Sequence, residues 1–104
     1  MNVDVRRTAA GVVDIAVAGV IDLATAPDLK RVLFEALDDA DTRTILVDLA
    51  EVSFCDSSGI ATLDEAYGAA AERAMRLRVT NESPRVRRVL EIVGMLETLT
   101  QPLK

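Results

Sequence analysis

The sequence contains no histidine and no tryptophan, and only one cysteine, Cys55. Without histidine, the commonest general base at neutral pH and the commonest metal ligand are both missing. A lone cysteine excludes an internal disulfide and any cysteine-rich metal centre. Only three side chains are aromatic, so the core has to be assembled from Val, Leu, Ile and Ala. There is no Gly-rich phosphate-binding loop and no nucleophile–base pair, which argues against a small hydrolase; ATP turnover lost on Asp22→Ala would argue for one. No apolar run is long enough to span a bilayer, and Asp4, Arg6 and Arg7 interrupt the first apolar segment where a secretory signal would need continuity. The expectation is a cytoplasmic, non-enzymatic protein with no cofactor, no metal site and no membrane insertion.

What is present suits one compact domain over residues 1–104: the chain is half hydrophobic and long enough to bury a core. The net charge of −5 argues against general nucleic-acid binding. The charge is uneven. Residues 1–72 carry 5 basic and 14 acidic side chains, whereas residues 73–104 carry 7 basic and 3 acidic. Two solvated faces of opposite sign and a partner-steering field both fit that distribution.

Read in order, Val3 and Val5 open a strand, Ala10-Gly11 turns the chain, and Val13, Ile15 and Val17 alternate with Asp14, Ala16 and Ala18 as a half-buried strand that Gly19 ends. Thr25 is placed to cap a helix with Pro27 in its first turn, and Leu29, Val32, Leu33, Ala36, Leu37 and Ala40 share one face of it. Ile45 to Leu49 reads as a buried central strand followed by a short loop. A second helix begins near Ser57, with Ile60, Leu63, Tyr67, Ala70 and Ala74 at its apolar spacing. Leu77 and Val79 mark another strand. Ser83-Pro84 starts a third helix lined by Val86, Val89, Leu90 and Val93 and stopped at Gly94. Met95, Leu96, Leu99 and Leu103 then form a tail, expected as an edge strand or a packed loop. The order implies an α/β domain: a small mixed β-sheet with helices packed mainly on one face.

The most informative stretch joins the central strand to the second helix. Asp56-Ser57-Ser58-Gly59 puts a carboxylate and two hydroxyls at a helix N-terminus, where Asp and Ser serve as caps. A phosphate on a serine there would meet free N–H groups and the favourable end of the helix dipole, beside the Asp56 carboxylate. That is the chemistry of a switch.

Gly19-Val20-Ile21-Asp22 with Thr25-Ala26-Pro27, and Val47-Asp48-Leu49 through Phe54-Cys55-Asp56-Ser57-Ser58-Gly59-Ile60, together resemble STAS domains of the bacterial anti-sigma factor antagonists, over essentially the whole chain. The resemblance implies a STAS fold and a partner-switching regulator. The unmodified protein would bind an anti-sigma factor that is also a serine kinase, freeing a sigma factor for transcription. Phosphorylation would end the complex, and a metal-dependent serine phosphatase would reset it. Position by position it implies Ser57 as phosphoacceptor, with Ser58 the second choice, and Asp22 near the phosphoserine and the kinase's nucleotide. Asp22, Asp56, Ser58 and Gly59 form the expected partner-binding set. The chain departs from the family's frequent Gly-Glu-Leu-Asp by carrying Val20 in place of the glutamate. A monomer or weak dimer is expected.

Blander readings remain beside these. Ser57 and Ser58 could be plain caps, Asp22 could brace its own loop, and Cys55 beside Phe54 suits a small buried hydrophobe. Asp22, Asp48 and Asp56 suggest magnesium only weakly, since such sites also need substrate phosphates. Arg85, Arg87 and Arg88 suit a solvated face. An alternative function is a non-phosphorylated STAS scaffold subunit of a transporter or sensory complex.

Overall fold

A computed structural model gives the fold for residues 1–101. The elements are β1 (Asn2–Ala9), β2 (Val12–Ile21), α1 (Ala26–Asp38), β3 (Thr44–Cys55), α2 (Ser57–Glu72), β4 (Arg76–Thr80), α3 (Pro84–Ile92) and α4 (Leu96–Thr100). The sheet order follows the chain, β1-β2-β3-β4. β1 and β2 form the antiparallel hairpin expected from the Ala10-Gly11 turn, while β2, β3 and β4 run parallel through the α1 and α2 crossovers. This is the expected mixed sheet in a small α/β domain.

One face of the sheet is dry. Val13, Ile15 and Val17 of β2, Ile45, Val47 and Leu49 of β3, and Leu77 and Val79 of β4 are buried against Leu29, Leu33 and Leu37 of α1 and Ile60, Leu63 and Ala66 of α2. Val86 and Leu90 of α3 and Leu99 of α4 complete the same core. Small alanines at positions 66 and 70 let α2 lie close to its neighbours, whereas Ala61, Ala71 and Ala74 are exposed.

The structure corrects the sequence reading in four places. β2 does not end at Gly19; it continues to Ile21 because β3 keeps pairing with it, and Gly19 takes a φ of +99° inside the strand. β3 is 12 residues long, not five, and absorbs the expected loop. The ladder with β2 slips between Ala16 and Ala18 and again between Gly19 and Val20, each time inserting an extra β3 residue. Burial along β3 therefore changes from alternation to every third residue, at Leu49, Val52 and Cys55, which hides the strand from a period-2 search. The Asp48 carboxylate accepts the Ala50 N–H at 2.9 Å at the first slip.

Third, the tail is helical over Leu96–Thr100, with Leu99 fully buried and the Arg78 Nε donating to the Thr100 carbonyl; Pro102 and Leu103 lie outside the described residues. Fourth, Val93 follows α3 and is exposed; Val86 and Leu90 are fully buried, and Val89 packs half-buried against the core as expected. The start of α3 is as expected, with Ser83 Oγ accepting the Val86 N–H. Arg85, Arg87 and Arg88 lie on its outer face, and Arg87 is paired with Glu82 and Glu91.

Because Leu33 has no exposed surface and belongs to the core cluster, Leu33→Ala should lower the unfolding free energy by about 2–5 kcal/mol, read as a lower urea midpoint.

Candidate functional site: the rim of the parallel strands

Ile21 and Cys55 are partners in the parallel ladder, so the loops that follow β2 and β3 leave the sheet side by side at its carboxyl rim. In open α/β sheets this rim is where functional loops gather. One backbone contact ties the loops together: the Asp56 N–H donates to the Ile21 carbonyl at 3.1 Å.

Asp56 is the N-cap of α2. Its backbone is extended, and its Oδ1 accepts the Ser58 N–H at 2.9 Å, the Gly59 N–H at 3.3 Å and the Ser58 hydroxyl. The Ser58 hydroxyl bond, followed by the backbone N–H groups of Gly59 and Ser58 and the nearby N–H of Leu23, holds the Asp56 carboxyl below its ordinary 3.8 against partial desolvation. This changes the expectation for a phosphate. The first-turn N–H groups of Ser58 and Gly59 are already occupied by Asp56 and are not free to receive one.

The two serines are therefore unlike. Ser58 is half-buried and its proton is directed to the Asp56 carboxylate. Ser57, the first residue of α2, is exposed, and its hydroxyl makes no hydrogen bond among the described residues.

Asp22 follows the bracing reading. Its Oδ1 accepts the Ala24 N–H at 3.0 Å and the Thr25 N–H at 3.1 Å. Thr25, expected to cap α1, instead accepts the Asp22 N–H at 2.9 Å and donates its hydroxyl to the Val20 carbonyl at 2.9 Å. The loop is a closed turn with its carboxylate folded inward. Asp22, Asp48 and Asp56 do not converge; among the described residues no group of three His, Cys, Asp or Glu could hold a metal ion.

Gly59 is buried, and its role is geometric. A Cβ there would lie 2.6 Å from Cys55 Sγ and 2.6 Å from Ile21 Cγ2. Only a residue without a side chain lets the first turn of α2 sit on the ends of both strands. That requirement was invisible in the sequence because it arises from the pairing of Ile21 with Cys55, 34 positions further along the chain. Cys55 itself is fully buried; burial, and then the neighbouring Asp56 charge, push its thiol up to about 12. It behaves as a small apolar side chain.

Residues 5–101 match the family model described as "Mlab, STAS domain". The chain belongs to the STAS domain family. This STAS domain is 30% identical over 99 residues to the anti-sigma-B factor antagonist of Listeria monocytogenes, covering 95% of this chain and 86% of the relative. Its fold is similar to that of the anti-sigma factor antagonist SpoIIAA in its unphosphorylated form, with a TM-score of 0.83 at 21% identity over 99% of this chain and 89% of the other. It is also similar to an anti-sigma factor antagonist from Mycobacterium paratuberculosis, with a TM-score of 0.83 at 26% identity over 98% and 86% of the two chains. Among the described residues of the STAS domain, no helix is long and apolar enough to cross a membrane.

Gly59→Ala should destabilise the STAS domain by about 1–3 kcal/mol in urea unfolding. Gly68→Ala, on the same helix with open space around it, should gain up to about 1 kcal/mol from helix propensity. Asp56 has a folded pKa below its unfolded one, so its contribution is complete above the ordinary carboxylate value and is lost as pH falls through the lower folded value. Asp56→Asn should flatten that part of the melting-temperature profile, measured from about pH 5 to about pH 2.

Proposed function

We propose that this STAS domain is an anti-sigma factor antagonist controlled by reversible phosphorylation of Ser57. The observation that carries the reading is the exposed, unengaged Ser57 hydroxyl on a rigidly capped helix start, beside a Ser58 hydroxyl already committed to Asp56. The names of the curated relatives support the antagonist role, and two solved forms of SpoIIAA, described as unphosphorylated and phosphorylated, support a phosphorylation switch on this fold.

In this reading the unmodified domain binds an anti-sigma factor that is also a serine kinase. Ser57 Oγ forms the new bond to the γ-phosphorus of ATP. The bond from that phosphorus to the bridging oxygen breaks, ADP leaves, and the hydroxyl proton passes to a base of the kinase. The product carries about two negative charges on a surface that binding had covered, and the complex separates. A serine phosphatase returns the hydroxyl by hydrolysis and releases inorganic phosphate. Asp56, Ser58 and Gly59 fix the direction of the Ser57 side chain, and Asp22 holds the adjoining loop in the shape the partner meets. The domain acts by binding; the chemistry belongs to the kinase and the phosphatase.

The test is the affinity of three forms for the anti-sigma factor of the native cells, measured by titration calorimetry. Ser57→Ala should bind as the wild type does and stay bound when Mg-ATP is added. Ser57→Asp should bind roughly a hundredfold more weakly. Equal affinity of wild type and Ser57→Asp would overturn the proposal, as would a stable complex with a transport protein that Mg-ATP leaves unmodified.

A further inference from the structure

Between Gly19 and Ala26, and between Val52 and Ile60, the exposed residues are Val20, Leu23, Ala24, Ser53, Phe54 and Ser57. None is charged. The carboxylates of this rim, Asp22 and Asp56, are half-buried and each turns an oxygen into backbone N–H groups. Three large apolar side chains stand out instead: Leu23 is 78% exposed, Phe54 41% and Val20 38%. Val20 and Phe54 are partners in the β2–β3 ladder, and Leu23 lies two residues beyond Ile21, whose carbonyl accepts the Asp56 N–H next to Ser57. The patch therefore borders the acceptor hydroxyl. A kinase that takes this hydroxyl into its active site has to cover the patch as well, because the loops are stitched together and Ser57 cannot be presented alone.

We propose that Val20, Leu23 and Phe54 form an apolar contact for the kinase that modifies Ser57, and that phosphate on Ser57 separates the two by demanding water in a dry interface, not by repelling partner charge. This rests on the function proposed above and names the chemistry of the partner's surface: apolar side chains opposite Val20 and Leu23, where a basic group would be expected opposite a glutamate. A dianion cannot be buried among apolar groups without compensating donors. Of the first-turn N–H groups, those of Ser58 and Gly59 already serve Asp56, which leaves the single N–H of Ser57 itself against a dianion.

The two modes of release differ in their response to salt. Repulsion between charges is screened as ionic strength rises, whereas the cost of drying a phosphate is largely retained. With the purified kinase that phosphorylates Ser57 as probe, the ratio of affinities for the unphosphorylated and phosphorylated domain should stay within about threefold between about 0.05 M and about 0.5 M salt. A larger fall would overturn desolvation as the cause. Val20→Glu and Leu23→Ser should each weaken binding about tenfold or more, with the melting temperature of both variants checked against wild type. Leu23 is a loop residue with little buried surface, so its variant keeps the test independent of folding. Wild-type affinity in both folded variants would overturn the patch while leaving phosphorylation of Ser57 standing. No phosphate on Ser57 with any kinase of the native cells would remove the reading beneath it.

Discussion

The contact of Gly59 with the ends of β2 and β3 is the constraint on which the rim depends. Parallel pairing brings Ile21 and Cys55 together, and the first turn of α2 descends onto both through a residue with no side chain. From that seat, the Asp56 carboxylate reaches three donors of its own turn, and its N–H bonds the Ile21 carbonyl at the end of β2. A buried, close-packed foundation thus holds an exposed hydroxyl. The packing fixes where Ser57 stands, while the cap determines which serine is free.

The hydrogen bonding of the rim also separates two roles that carboxylates could have played. Asp22 and Asp56 are structural acceptors for backbone N–H groups, and their geometry leaves the outward surface to Val20, Leu23 and Phe54. Such a surface suits apolar association in the unmodified state. It suits a phosphate poorly, so one covalent change alters the chemistry of the whole patch. No rearrangement of the core is needed, because the groups concerned lie outside it.

Much of this could be read from the sequence where local chemistry determines the answer. The hairpin, the α1 and α3 signals, the Asp56 cap and the alternation of β2 follow from neighbouring residues and were legible. β3 beyond Leu49 was not, since the two slips against β2 replace alternation with a spacing that resembles neither strand nor helix. That error concealed the Val20–Phe54 partnership and with it the apolar patch. The role of Gly59 was equally hidden, because the atoms it makes room for belong to two other elements. Thr25 failed as a cap for a related reason: Val20 at the end of β2 and Asp22 just after it compete for its hydroxyl.

The central claim is that the cap on α2 leaves one serine available for modification. The most direct measurement is site mapping by mass spectrometry after Mg-ATP labelling with the kinase, on wild type, Ser57→Ala and Ser58→Ala in parallel. The account predicts one phosphate, on Ser57, in wild type and in Ser58→Ala, and none in Ser57→Ala. Phosphate on Ser58, or undiminished labelling of Ser57→Ala, would contradict it.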